Sequence, residues 1–267
     1  MSTNTARKGQ GTRPTKITLS QKKHGIIAET LHLIFRAGVD GLAALDLDGT
    51  LVDSFPNFHT AFCEVISAHS DGAGVFPSIA DLSHGVSVRG DWFHRRGVSR
   101  HFTEDYLWGK IRERVLQMEE NRPIQLYDGV ADALRQLSQH RQLVVVTLNR
   151  VHPVRDILER QTGLDDILSI VVNSSADKAK VLKTLAKYHY RQFSNGRPNP
   201  FCFFGDTVDD MRAGKGGGIF PIGVLHASFA GDQRLRESVS NQLLRAGANK
   251  VIEPHEIARA AFECEFG

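Results

Sequence analysis

From residue 128 onward the chain alternates short apolar runs with helical stretches, and few folds accept that order. Residues 130–140 predict a helix, 143–147 a strand, 154–161 a helix and 168–172 a strand. A helix over 177–188, a strand over 201–204, a short helix near Asp210 and a strand over 219–224 follow. Strands separated by helices need crossover connections, so the expected class is α/β with a doubly wound, mostly parallel sheet. Upstream, 42–47 is a further apolar run suited to a buried parallel strand. A helix with Ile27, Leu31, Ile34 and Phe35 at helical spacing, opened by Ser20, leads into it.

Directly after 42–47 the alternation stops. In the next seventy or so residues Phe58, Ala61, Phe62, Val65 and Ile66 share one helical face. A second helix starts near Thr103, with Glu104 and Asp105 in its first turn and Trp108, Ile111, Val115 and Met118 as its stripe. Residues 55–127 therefore read as an inserted helical cap domain, splitting the α/β core into 20–54 and 128–267.

Charge is unevenly spread. Arg7, Lys8, Arg13, Lys16, Lys22 and Lys23 stand in a start without acids and supply +6, leaving −3 for the rest of a chain whose total is +3. A mildly acidic body with a basic tail is not the footprint of a nucleic-acid-binding domain. Residues 1–19, rich in Ser, Thr, Gly, Arg and Lys, read as a disordered basic tail. Acid-poor starts with Arg also occur in transit peptides, but these first twenty residues lack an amphipathic apolar face. With no signal-type segment and no apolar run long enough for a bilayer, a cytoplasmic protein without a membrane partner is expected. Cys63, Cys202 and Cys264 form no CxxC pair, so neither a zinc site nor a disulfide framework is indicated.

The chemistry concentrates where apolar strands end. Leu45-Asp46-Leu47-Asp48-Gly49-Thr50 places two acids, one residue apart, at the C-terminal end of the first strand. In an open α/β sheet that is where ligands bind, and Gly49 lets the chain turn away sharply. Val144-Val145-Val146-Thr147 ends a second strand in a hydroxyl. Lys178 and Lys180 both stand near the start of a helix; Lys178 shares the face of Val181 and Leu182, whereas Lys180 shares that of Lys183 and Lys187, so Lys178 is the candidate. Gly205-Asp206-Thr207-Val208-Asp209-Asp210 follows a further apolar strand, and three acids so close repel one another unless a cation relieves them.

In this order the four segments resemble the motifs of the haloacid dehalogenase (HAD)-like hydrolases: DxDGT, a strand ending in Thr, a Lys opening a helix, and GDxxxD. The resemblance spans 42–225, and Leu51-Val52-Asp53-Ser54 with Pro56 is similar to the phosphoglycolate-phosphatase-like branch with a helical cap. It implies a Rossmann-like core and a phosphomonoesterase acting on a small phosphorylated metabolite. Asp46 would be the nucleophile that becomes an aspartyl-phosphate, and Asp48 the general acid and base. Thr147 and Lys178 would hold phosphoryl oxygens. Asp46, the Asp48 carbonyl and Asp206, with Asp210 in support, would hold Mg²⁺. The family often has Asn directly after the Thr; here Leu148 intervenes before Asn149, whose role stays open. Dehalogenases of the family lack the second acid and its ATPases have Thr there. Its phosphomutases commonly have Val at the position of Thr50. A phosphomutase, or a silent binding or regulatory relative, remains the alternative.

Weaker signals admit plainer readings. Arg89, His94, Arg95, Arg96 and Arg100 in the cap either contact an anionic part of the substrate or form a solvated basic loop. Gly214-Lys-Gly-Gly-Gly218 lacks the Ser or Thr that a P-loop needs after its Lys, and His255-Glu256 lacks the second His of a zinc protease.

Overall fold

The computed structural model describes residues 39, 41–72, 74–78, 92–147, 168–173, 178–193, 201–226, 229 and 231–264. The positions Ile27 to Phe35 of the helix expected after Ser20, the tail, Arg89, Asn149 and the predicted helix at 154–161 lie outside them.

Six parallel strands form one sheet: β1 (Gly41–Leu45), β2 (Arg141–Thr147), β3 (Leu168–Asn173), β4 (Cys202–Gly205), β5 (Phe220–Val224) and β6 (Lys250–Ile252), in the order β3-β2-β1-β4-β5-β6. The chain builds outward on one side from β1 to β3, then returns to lay β4 on the other side of β1. That reversal makes the gap between β1 and β4 the topological switch point, the usual ligand crevice of a doubly wound sheet.

Strand burial explains the uninterrupted apolar runs. Ala43, Leu45, Leu143, Val145, Cys202 and Phe204 face one hydrophobic cluster, while Leu42, Ala44, Val144, Val146 and Phe203 face the other. With a period of two and apolar neighbours on both sides, every position must be apolar. On the second face Leu182, Leu185 and Ala186 of the helix Lys178–Phe193 close the layer. On the first face, Leu134 and Leu137 of the helix Val130–Ser138 are joined by Ile257 and Ala261 of the helix Ile257–Glu263. Each such fully buried branched side chain contributes about 1.5–3 kcal/mol before entropy is counted.

Between β1 and the helix Val130–Ser138 the described residues hold two α-helices and no strand of the sheet: α1 (Phe55–His69) and α2 (Glu104–Asn121). Thr103 caps α2 by accepting from the Tyr106 backbone N–H at 3.3 Å. Its buried stripe is Leu107, Ile111, Val115 and Glu119, one residue off the expected Trp108 and Met118, which are only half-buried. Phe62 sits among Trp92, Phe93 and Trp108 at ring separations of 5.2, 6.0 and 5.3 Å. The chain enters and leaves this insertion side by side. Asp53 N–H donates to the Gln125 carbonyl at 2.9 Å and Tyr127 N–H to the Leu51 carbonyl at 3.0 Å, around an antiparallel bridge between Val52 and Leu126.

Beyond β5 the structure adds what the sequence pattern did not announce, a helix over Gln233–Ala246 and the sixth strand. β6 is three residues long, below the length at which alternation becomes readable. Among the described residues no helix is long and apolar enough to cross a membrane.

Candidate active site

Asp46 follows β1 directly, and its backbone N–H continues the ladder to the Phe204 carbonyl at 2.8 Å. The pairing of Leu45 with Val145 and Phe204 brings the next residues of all three strands to one edge. Asp46, buried Thr147 and the Gly205-Asp206 turn therefore share the C-terminal end of the sheet. Adjacent strands stand about 4.8 Å apart, so side chains at that edge are within reach of one another.

After Asp46 the chain folds into a tight turn, in which the N–H groups of Thr50, Leu51 and Val52 all point at the Leu47 carbonyl. Gly49 has φ of +75°, and a Cβ there would stand 2.3 Å from Asp206 Oδ2 and 2.4 Å from the Phe55 ring. Glycine is required twice over, by backbone conformation and by the approach of the acid. The hydroxyl of fully buried Thr50 donates to Asp206 Oδ1 at 3.2 Å.

Asp210 is fixed from two sides. Thr207 caps the helix Val208–Gly217 in a reciprocal box, its backbone N–H donating to Asp210 Oδ2 at 3.2 Å and the Asp210 N–H returning to Thr207 Oγ1 at 3.1 Å, and the Thr207 hydroxyl donates to the same Oδ2 at 2.6 Å. The other oxygen, Oδ1, accepts from Lys178 Nζ at 2.5 Å, and the same ammonium donates to Asp46 Oδ1 at 2.8 Å. Lys180, two residues on and on a different face of the same helix, is exposed. The acids of the fourth segment divide: Asp206 and Asp210 are buried, while Asp209 is exposed and pairs with Arg212 at 3.3 Å.

Asp46, Asp206 and Asp210 each offer an oxygen within 4.8 Å of the others. Burial pushes the Asp46 carboxyl from 3.8 up to about 7; Lys178 opposes the rise, and Asp210 and Asp48 add to it. Burial also drives the Asp206 carboxyl well up, helped by Asp210 and Asp46. Lys178 is held above its ordinary value: burial alone would lower it, but the charges of Asp210 and Asp46 and the hydrogen bonds to both prevail.

The residues fit a hard divalent cation. Fully ionised, three buried carboxylates beside one ammonium would leave two negative charges in a small volume. Asp206 Oδ2 is buried with no hydrogen-bond partner among the described residues. An all-oxygen site with an orphaned anionic acceptor suits Mg²⁺. Asp48 brings no carboxylate into the trio and is half-buried beside it.

Other candidates separate from this centre. Arg96 lies over the Trp92 ring at 3.6 Å and donates to the Trp92 carbonyl, so it packs within the insertion; Arg95 and Arg100 are exposed. Residues 214–218 end a helix, with Gly218 left-handed at φ of 73°. Sequence reasoning passed over Thr50 and Thr207 as holders of the acids. The signal was present in the motifs themselves, since Thr50 stands four residues after buried Asp46 and Thr207 directly after buried Asp206.

The sequence profile of the haloacid dehalogenase-like hydrolases matches residues 41–218. A phosphoglycolate phosphatase of Chromobacterium violaceum is 28% identical over 197 residues, covering 68% of this chain and 83% of that protein. One from Synechococcus elongatus is 29% identical over 182 residues, covering 67% and 81%. Among solved structures, a haloacid dehalogenase-like family protein of Streptococcus pneumoniae superposes with a TM-score of 0.59 at 20% identity, over 84% of this chain and 99% of its own. CbbY from Rhodobacter sphaeroides, solved with phosphate, superposes with a TM-score of 0.58 at 17% identity, over 84% and 100%. At such identities the structures speak for the fold alone, but the profile covers most of the chain and includes every segment of the site: this protein belongs to the haloacid dehalogenase-like hydrolases.

Proposed function

We propose that the chain is a Mg²⁺-dependent phosphomonoesterase that hydrolyses a small phosphorylated metabolite through an aspartyl-phosphate on Asp46. The observation that carries this reading is the buried trio of Asp46, Asp206 and Asp210 with Lys178 bridging two of them. The relatives named phosphoglycolate phosphatases favour a short phosphorylated acid as substrate.

Unaided hydrolysis of phosphate monoesters is so slow that a catalyst must stabilise the transition state by up to tens of kcal/mol. Asp46, held by Lys178, attacks phosphorus and splits the reaction into two steps. Asp48 stands half-exposed beside it, where it can protonate the leaving oxygen and then take a proton from water. Lys178 and Thr147 stabilise the equatorial oxygens as charge spreads over them. Asp46, Asp206 and Asp210 would hold Mg²⁺, which neutralises charge on the phosphoryl group when bound. Residues 55–127 act as a cap that excludes water and selects the substrate, with residues 20–54 and 128–267 as the core. A silent binding module is disfavoured because Asp46, Asp48, Lys178 and Asp206 are all present.

The test separates the two acids. Asp48→Asn removes the proton donor, so an alkyl phosphate should lose roughly 10² to 10⁴ in its phosphorylation rate. An aryl phosphate, whose phenolate leaves unaided, should lose much less in that step and then accumulate phosphoenzyme, because the second step lacks its base. Rapid-quench kinetics on both substrates reads this. Equal slowing of the two burst rates, without phosphoenzyme, would reduce Asp48 to scaffolding.

A further inference from the structure

His226 follows β5 and is fully buried. Its ring meets Phe55 edge-on at 4.3 Å and Tyr127 at 5.3 Å, with Phe229 at 5.5 Å behind. Its Nε2 stands 3.4 Å from Asp53 Oδ1. Asp53 belongs to the connection that enters the helical insertion, Phe55 opens its first helix, and Tyr127 belongs to the connection that leaves it. One side chain from the sheet thus touches both connections.

Those connections need such support. Between them run two backbone hydrogen bonds and one bridge, and an antiparallel ribbon so short is not stable by itself. Packing alone does not explain an imidazole here, since Phe would fill the same space among Phe55, Tyr127 and Phe229 without burying ring nitrogens. The Asp53 carboxylate gives Nε2 a charged neighbour that a Phe could not use. At 3.4 Å the approach falls short of a hydrogen bond between Nε2 and Oδ1, and the Asp53 side chain is 40% exposed, so a small rotation of the entering connection closes it to a hydrogen bond or opens it.

We propose that His226 is a positioning residue: through Asp53, Phe55 and Tyr127 it clamps both connections to the core and sets the angle of the helical insertion over Asp46. This rests on the reading of 55–127 as a cap on a phosphoryl-transfer site. Hinge residues absorb the backbone rotation of lid closure and are commonly remote from the chemistry, and a side chain gripping both hinges from the core governs that rotation.

Two substitutions split the side chain's properties. H226F keeps a packed ring and loses the nitrogens; H226Q loses the ring but carries an amide nitrogen to about the place of Nε2. Hydrogen exchange of the full chain, followed by mass spectrometry on peptides spanning 51–54 and 124–128, reads the ribbon directly. H226F should raise exchange there roughly 5- to 30-fold, with peptides over 141–147 unchanged, and H226Q should lie nearer the wild type. D53A, a change at a half-exposed side chain that does not threaten the core, should match H226F, and the double variant D53A/H226F should be no worse than H226F alone. With an aryl phosphate and Mg²⁺, kcat and KM should move together in H226F and recover in H226Q. The proposal is overturned if H226F lies nearer the wild type than H226Q, if exchange rises equally over 141–147, or if D53A and H226F add independently. A wild-type chain without turnover but with the expected exchange order would remove the phosphatase reading and leave the clamp standing.

Discussion

Replacing Asp46 by Asn alters the electrostatics of the site while nearly preserving its shape, because Asn keeps an oxygen for Lys178 Nζ and loses the charge. In the wild type burial raises the Asp46 carboxyl from 3.8 to about 7. Between about pH 4 and pH 7 the folded chain therefore holds a proton that the unfolded chain has released. More protons on the folded side means that stability falls as pH rises through this window, by about 1.4 kcal/mol per unit. Over the interval from 3.8 to about 7 the ionised carboxylate costs the metal-free fold at most about 4 kcal/mol at pH 8. Asp46→Asn should thus match the wild type near pH 4 and exceed it by roughly 2–4 kcal/mol at pH 8, with a remaining slope from Asp206, whose carboxyl is also raised. Urea unfolding at pH 4.5, 6 and 8 in chelator measures this, and a parallel series in millimolar Mg²⁺ should close the gap by stabilising the wild type. A variant whose advantage does not grow with pH would refute the claim that burial, rather than the Lys178 pair, dominates the charge of Asp46.

Two further substitutions probe the supports of the acids. Gly49→Ala forces a Cβ to within 2.3 Å of Asp206 Oδ2 at φ of +75°; it should lower stability by about 1–3 kcal/mol and abolish most turnover, read by urea unfolding and phosphate release. Thr50→Val removes the donor to Asp206 Oδ1 in a nearly equal volume. It should weaken Mg²⁺ binding by roughly 10- to 150-fold in calorimetry, the effect of one lost hydrogen bond to a charged group at about 1.5–3 kcal/mol, and unchanged affinity would remove Thr50 from the site.

The sheet was legible because strands buried on both faces must be apolar without interruption, and β1, β2, β4 and β5 all obey that. β2 nevertheless begins two residues before the apolar run, at Arg141 and Gln142, since ladder pairing with Gly41 and Leu42 depends on backbone and not on side-chain polarity. The family was legible because its acids sit at fixed offsets from strand ends. Lys178 could be separated from Lys180 because helical periodicity assigns faces, and Leu182, four residues on, is fully buried. What stayed hidden arises between distant segments. Nothing near His226 in sequence announces Asp53 or Tyr127, and the stripe of α2 held at Ile111 and Val115 but shifted by one residue at its ends, to Leu107 and to Glu119, an acid that no apolar pattern would announce.

The arrangement of oxygens explains how so much negative charge is tolerated without loss of order. Asp210 uses one oxygen for Thr207 and the other for Lys178, so its orientation is settled by the helix cap and the ammonium together. Asp46 shares that ammonium through Oδ1. Asp206 accepts from Thr50 through Oδ1, while Oδ2 is buried without a hydrogen-bond partner among the described residues and crowds the space where a Cβ at position 49 would stand. Acceptors that are already satisfied fix geometry, whereas an unsatisfied one in a low-dielectric site raises the free energy of the metal-free fold. The strain is therefore unequal among the acids. It centres on Asp206 and on the charge of Asp46, the two carboxyls whose ionisation burial opposes most, and those are the groups a divalent cation would relieve.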